Sequence, residues 1–204
     1  MDNRSYNFLQ LDALKELANI GGGNAANSIS QLINEPVSMT IPTIEVLNYS
    51  EVFDKIMDED SMVNAVVMKM VGGSSEGMFL FITSDEVSKS LVKMMLPQGF
   101  EISEELGESA IKELVNILVT SYLNAISTII DEGIMSSVPI LIRDMFGAIL
   151  SSVYIESEQF DDNIMIIKNE FSYNGDRIES SLFFVPKPGV LGQLFKILGV
   201  GEES

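Results

Sequence analysis

Two stretches of the chain carry the same pair of functional groups at the same spacing: Glu16-Leu17-Ala18-Asn19-Ile20 and Glu113-Leu114-Val115-Asn116-Ile117. Four residues before each Glu stands a small polar residue, Asp12 in the first stretch and Ser109 in the second. Twenty-two residues separate each Asn from a proline, Pro42 and Pro139. A carboxylate can hold a cation, and a carboxamide both donates and accepts hydrogen bonds without titrating. Steps of four and three residues put Asp12, Glu16 and Asn19 on one helical stripe, which continues through Gly23 and Asn27. The second stripe continues from Ser109, Glu113 and Asn116 through Thr120 and Asn124. A polar stripe on an amphipathic helix is ordinarily solvated and idle. Duplication at equivalent positions sets this pair apart, although common descent of two halves accounts for part of the agreement.

The rest of the composition removes most other chemistry. The 204 residues include no Cys, His or Trp. There is thus no disulfide framework, no thiolate nucleophile, no imidazole base or ligand, and no Cys-bound zinc or iron–sulfur centre. Twelve Lys and Arg stand against 30 Asp and Glu, a net charge of −18. That balance argues against nucleic acid and against an anionic membrane surface as partners. No apolar run reaches the ~20 residues of a membrane span. No signal peptide is visible at the N-terminus, so a cytoplasmic location is expected. Gly21-Gly22-Gly23-Asn24 lacks the Gly-Lys-Ser/Thr of a phosphate loop, and no Gly-x-Gly-x-x-Gly opens a βαβ unit.

The elements that must position these residues follow from periodicity. Apolar residues at three- and four-residue steps predict a helix over 8–33, interrupted by the three glycines or closely approached there. Val37 to about Tyr49 reads as strand, with Pro42 marking an edge, a bulge or a strand start. Glu51 to Asp60 reads as an acidic loop. Val63–Met70 and Gly77–Ile82 read as a hairpin around Gly72-Gly73-Ser74-Ser75, and Ser84 caps a helix that ends before Pro97. A second long helix spans about 104–130. After Pro139 a short helix is expected over 140–150, with strand character from Val153. Strands 164–167 and 182–185 flank the Asn174-Gly175 hairpin turn, and a short helix follows Pro188.

A shift of 97 residues superposes the two long helices, Ala13–Ile20 on Ala110–Ile117. The C-terminal parts match at a shift of 103, Phe79–Ile82 on Leu182–Val185. The expectation is a single domain over 1–204, with an internal repeat of about 8–100 and 104–200. Its class is α+β: a pseudo-two-fold domain whose strands pool in one mostly antiparallel sheet, with the two long helices on one face.

These residues resemble the CheC family of chemotaxis phosphatases, with its relatives CheX and the phosphatase core of the flagellar protein FliY. The family motif is Asp or Ser, three residues, Glu, two residues, Asn, twenty-two residues, Pro. Asp12-Glu16-Asn19-Pro42 and Ser109-Glu113-Asn116-Pro139 both fit it. Asn19-Ile20-Gly21-Gly22-Gly23-Asn24-Ala25 and Phe184-Val185-Pro186-Lys187-Pro188-Gly189 are also similar to family segments. Two complete motifs are more like CheC than CheX, and an end soon after Gly201, without a flagellar-switch C-terminal domain, is more like CheC than FliY.

The resemblance implies hydrolysis of the aspartyl phosphate of the response regulator CheY. Asn19 and Asn116 would position the attacking water, as a glutamine does in GTPases. Glu16 and Glu113 would pair with a cation on the regulator. Asp12, Ser109, Pro42 and Pro139 would shape the site. No cofactor or metal is expected in this chain; Mg²⁺ belongs to CheY. The regulator is expected to approach the glycines closely. A second partner is implied, the receptor deamidase CheD, with Asp144 in the helix after Pro139 as the candidate contact. The alternatives are a non-catalytic adaptor that sequesters CheY or CheD, and a flagellar switch component.

Overall fold

The computed structural model describes residues 6–72, 76–96, 99, 101–157 and 164–201. Its first half runs α1 (Phe8–Ile33), β1 (Ser38–Leu47), α2 (Tyr49–Lys55), β2 (Met62–Val71), β3 (Gly77–Thr83) and α3 (Asp85–Met95). The second half repeats that order after α4 (Glu104–Ile130): a two-residue β4 (Met135–Ser136), β5 (Ile140–Met145), α5 (Phe146–Glu156), β6 (Ile164–Tyr173), β7 (Asp176–Pro186) and α6 (Val190–Ile197).

The strands form one seven-stranded sheet, β1-β6-β7-β3-β2, with β4 and β5 both pairing with β2. Every pairing among the described residues is antiparallel. Exchanging the halves swaps β1 with β5, β2 with β6 and β3 with β7, which returns the same order read backwards. The two hairpins meet at the centre, where Phe79 pairs with Phe184 and their rings stack 4.7 Å apart. β3 is buried along its whole length, which explains its unbroken apolar run.

Helices cover both faces. α1, α3, α4 and α6 pack on one face over Met68, Phe81, Ile167 and Leu182. On the other, α2 and α5 pack through Val52, Phe146, Ile149 and Leu150 over Ala65, Leu80, Ile166 and Phe183. The two long helices thus share a face, as the repeat predicts, while a second helical layer closes the opposite one. Among the described residues α4 is the one helix long and apolar enough to cross a membrane by length and composition, and half of its apolar window is buried inside the fold.

Three segments depart from the sequence expectations. Residues 51–55, the start of the segment read as acidic loop, form α2 together with Tyr49 and Ser50. Asn48 Oδ1 accepts from Glu51 N at 3.0 Å while Glu51 Oε2 accepts from Asn48 N at 3.1 Å, a reciprocal cap that starts a short helix despite its charges. Residues 140–145, read as helix, form edge strand β5, because pairing with β2 overrides the apolar spacing. Helix α5 begins only at Phe146 and runs through Val153, where strand was expected, to Glu156.

Other signals are met. Asn174 and Gly175 have φ of 50° and 88°, the paired positive values of a two-residue hairpin turn. Pro42 falls in edge strand β1 at a register shift between Thr40 and Thr43, where a missing N–H costs the ladder nothing. Residues 73–75 of the first hairpin turn and Pro97 lie outside the described residues.

Candidate functional site

Helix α1 is started by Asn7, whose side chain accepts from Gln10 N while Gln10 Oε1 accepts from Asn7 N, both at 2.9 Å. That cap fixes the phase of the helix from its first turn. Leu14, Leu17, Ala18, Ala25 and Ile29 then face the core. The remaining arc leaves Asp12, Glu16, Asn19, Gly23 and Asn27 exposed. In α4, capped by Ser103, the core arc is Ile111, Leu114, Val115, Leu118 and Val119. Ser109, Glu113 and Asn124 are exposed there, and Asn116 and Thr120 are half-buried. Both stripes therefore lie at the surface on two packed helices of the same layer.

Among the described residues the side chains of Asp12, Glu16, Asn19, Ser109, Glu113 and Asn116 make no hydrogen bond or ion pair. An acidic and a carboxamide side chain on adjacent turns, committed to nothing within the fold, can each take an external partner. Glu113 also borders a groove of about 330 Å³ walled by Leu32, Leu106, Ala110 and Tyr173. A larger groove of about 630 Å³, between α3 and the start of α4, holds none of the candidate residues. Among the described residues no three acidic side chains gather closely enough to hold a metal ion.

Each proline-bearing segment adjoins the helix of its own motif. β1, which carries Pro42, packs against α1, and β4 and β5, which bracket Pro139, pack against α4. Asp144 is the next-to-last residue of β5 rather than part of a helix, because the helix starts at Phe146. It is exposed, and its Oδ1 accepts from Met145 N at 2.8 Å. It pairs with Val63 of the second core, so it belongs to the face opposite α1 and α4.

The glycine run does not break α1, and its close approach is internal. A Cβ on Gly21 would stand 2.5 Å from Tyr122 Cδ1, and one on Gly22 would stand 2.5 Å from Met39 Cε. Gly23 has open space, with nothing within 4 Å. The partner of the buried glycines is therefore α4 and β1, not a visiting protein. Sequence reasoning missed Tyr122, whose hydroxyl donates to Asn169 Oδ1 at 2.9 Å. A lone Tyr in a long apolar helix and an Asn in an apolar strand were the signals for it. Burial holds that phenol protonated well above the ordinary tyrosine range.

The CheC-like family model matches residues 9–46, the segment that contains Asp12, Glu16, Asn19 and Pro42. The chain is 29% identical over 197 residues to the CheY-P phosphatase CheC of Bacillus subtilis (strain 168), covering 93% of this chain and 94% of that protein. It is 26% identical over 180 residues to the flagellar motor switch phosphatase FliY of the same organism, covering 85% of this chain but 45% of that protein. Among solved structures, Thermotoga maritima FliY shares the fold with a TM-score of 0.71 at 17% identity, over 97% of this chain and 99% of that one. CheX from Desulfovibrio desulfuricans shares it with a TM-score of 0.55 at 13% identity, over 84% and 99%. In its first helix and strand this chain matches the CheC-like family model, and along nearly its whole length it is similar to a CheY-P phosphatase CheC, with which the shared fold of FliY and CheX agrees.

Proposed function

We propose that this protein is a phosphatase for the aspartyl phosphate of a CheY-type response regulator. The observation that carries the reading is the duplicated Glu-x-x-Asn stripe, surface-placed and uncommitted on both long helices. Its first copy lies within the family-matched segment, and the relative matched over nearly its full length is a CheY-P phosphatase. The fold alone is a weaker guide, since the middle domain of the flagellar protein FliM shares it, with a TM-score of 0.60 for the Vibrio alginolyticus protein.

An acyl phosphate is already activated, and its Mg²⁺ and lysine come with the regulator. What remains is to hold a water in line with the scissile bond, so catalysis is mostly positioning and electrostatics. The carboxamide of Asn19 or Asn116 accepts a hydrogen bond from that water and turns its lone pair toward phosphorus. The P–O bond to the aspartyl oxygen breaks, giving inorganic phosphate and a free carboxylate. Glu16 and Glu113 anchor the helix by pairing with a cation of the regulator. Asp12, Ser109, Pro42 and Pro139 shape the two surfaces. Asp144, across the sheet, is assigned to contact a CheD-type deamidase, and the protein works in the cytoplasm.

Catalysis and sequestration separate in one assay. At a tenth of the regulator concentration, a catalyst clears phosphorylated CheY through repeated turnovers. An adaptor that only binds changes the fate of at most the bound fraction. Clearance limited to that fraction would reject the phosphatase reading in favour of the adaptor.

A further inference from the structure

Tyr122 of α4 is 1% exposed, and its ring sits on the backbone of α1. A Cβ built on Gly21 would lie 2.5 Å from Tyr122 Cδ1 and 3.0 Å from Tyr122 Cα, and one on Gly22 would lie 3.6 Å from the phenol oxygen. The hydroxyl donates to Asn169 Oδ1 at 2.9 Å, and Asn169, also 1% exposed, donates through Nδ2 to Ile167 O at 3.1 Å. One helix, the backbone of its neighbour and the amide of β6, the strand beside edge strand β1, thus meet at a single polar point within an apolar core. Such a contact has one good geometry, because a displaced hydroxyl leaves the Asn169 oxygen buried and unsatisfied. It is also one-sided. At the repeat position of Tyr122 the first helix has Ala25, and at those of Gly21 and Gly22 the second has Leu118 and Val119.

We infer that Tyr122 is a positioning residue for Asn19. By seating on Gly21 and Gly22 it fixes how α1 lies against α4 and the sheet, and so where the first-half amide meets the phosphorylated regulator. Asn19 stands two residues before Gly21, on the exposed arc. Helix α4 is also held by α3, α6, β2, β4 and β5, whereas α1 rests mainly on α4 and β1. Loosening the contact therefore moves α1 and leaves Asn116 in place. This inference rests on the reading of the amides as water-positioning groups. In-line attack tolerates little error: a displacement of 1 Å costs about a hundredfold in rate.

The test uses two parent proteins, Asn116→Ala, which works through Asn19, and Asn19→Ala, which works through Asn116. Tyr122→Phe is introduced into each. The kcat and KM for phosphorylated CheY and the thermal melt are then measured. The expected result in the Asn19-dependent parent is a fall in kcat of about tenfold with KM unchanged, a fraction of the full misplacement penalty. In the Asn116-dependent parent the change stays within about twofold. Equal losses in both parents, as a smaller folded fraction would give, overturn the inference, and so does no change in either. If Tyr122→Phe does not fold, Gly21→Ala disturbs the same contact from the α1 side and is judged by the same comparison. If the protein lacking both amides keeps the wild-type rate, the amide reading has failed on its own data and this inference falls with it.

Discussion

At Ser30 a single hydroxyl ties the end of α1 to the start of the sheet. Its Oγ donates to Ala26 O at 2.7 Å and accepts from Val37 N at 2.9 Å, across the turn that leads into β1. Ser30→Ala leaves the buried Val37 N–H without a partner, so unfolding free energy in urea should fall by about 1–3 kcal/mol with the fold retained. Unchanged stability would mean that water replaces the hydroxyl. Tyr122 gives a second expectation at this scale. Its folded pKa is raised by burial above the ordinary value of about 10, so its contribution is complete below that pH and is lost as pH rises, because the unfolded chain then binds fewer protons. Above pH 10 the wild type should lose up to about 1.4 kcal/mol of stability per pH unit that Tyr122→Phe does not lose. Parallel pH profiles would contradict that. Neither role could be read from the sequence. Ser30 stands there as one more polar residue of the repeat, and the partner of Tyr122 lies 47 residues further along the chain.

At the scale of elements, the approximate bounds of the long helices were legible because the apolar period keeps a single buried arc; the caps, Asn7 and Ser103, and the unbroken passage of α1 through its glycines emerge only in the structure. The short elements were not. In 140–145 the spacing of Ile, Leu and Ile suits a helix or a strand, and the free edge of β2 decides. In α2 the reciprocal Asn48–Glu51 cap outweighs an acidic composition. Two glycines two positions apart on one helix make opposite predictions. Gly21→Ala forces a Cβ to 3.0 Å from the Tyr122 backbone and should destabilise by about 1–3 kcal/mol, despite better helix propensity. Gly23→Ala meets nothing within 4 Å and should stabilise by up to about 1 kcal/mol. Paired urea titrations read both signs, and a common sign would show that propensity, not packing, governs the run.

Over the whole molecule, the repeat made the α+β class and the shared face of the long helices readable, since two related halves must pool their strands. Strand order was not readable, because nothing in Met165–Ile167 or Leu80–Ile82 marks which neighbour each strand takes; the pairing of β3 with β7 arises from packing across the pseudo-two-fold. The second helical layer was hidden by the same short elements. A charge of −18 on one compact chain repels itself, so added salt should raise the melting temperature, by about 2–4 °C for each kcal/mol of repulsion relieved. A melt that is flat or falls between 10 and 300 mM NaCl, both about those values, would show that the seven surface ion pairs among the described residues matter more than the net charge. The proposed activity rests on the two carboxamides, and its direct measurement is single-turnover phosphate release from phosphorylated CheY. With Asn19→Ala/Asn116→Ala at saturating concentration, the rate constant should fall by the equivalent of about 1–4 kcal/mol, with binding of the regulator preserved. A rate equal to wild type at equal occupancy would contradict the account.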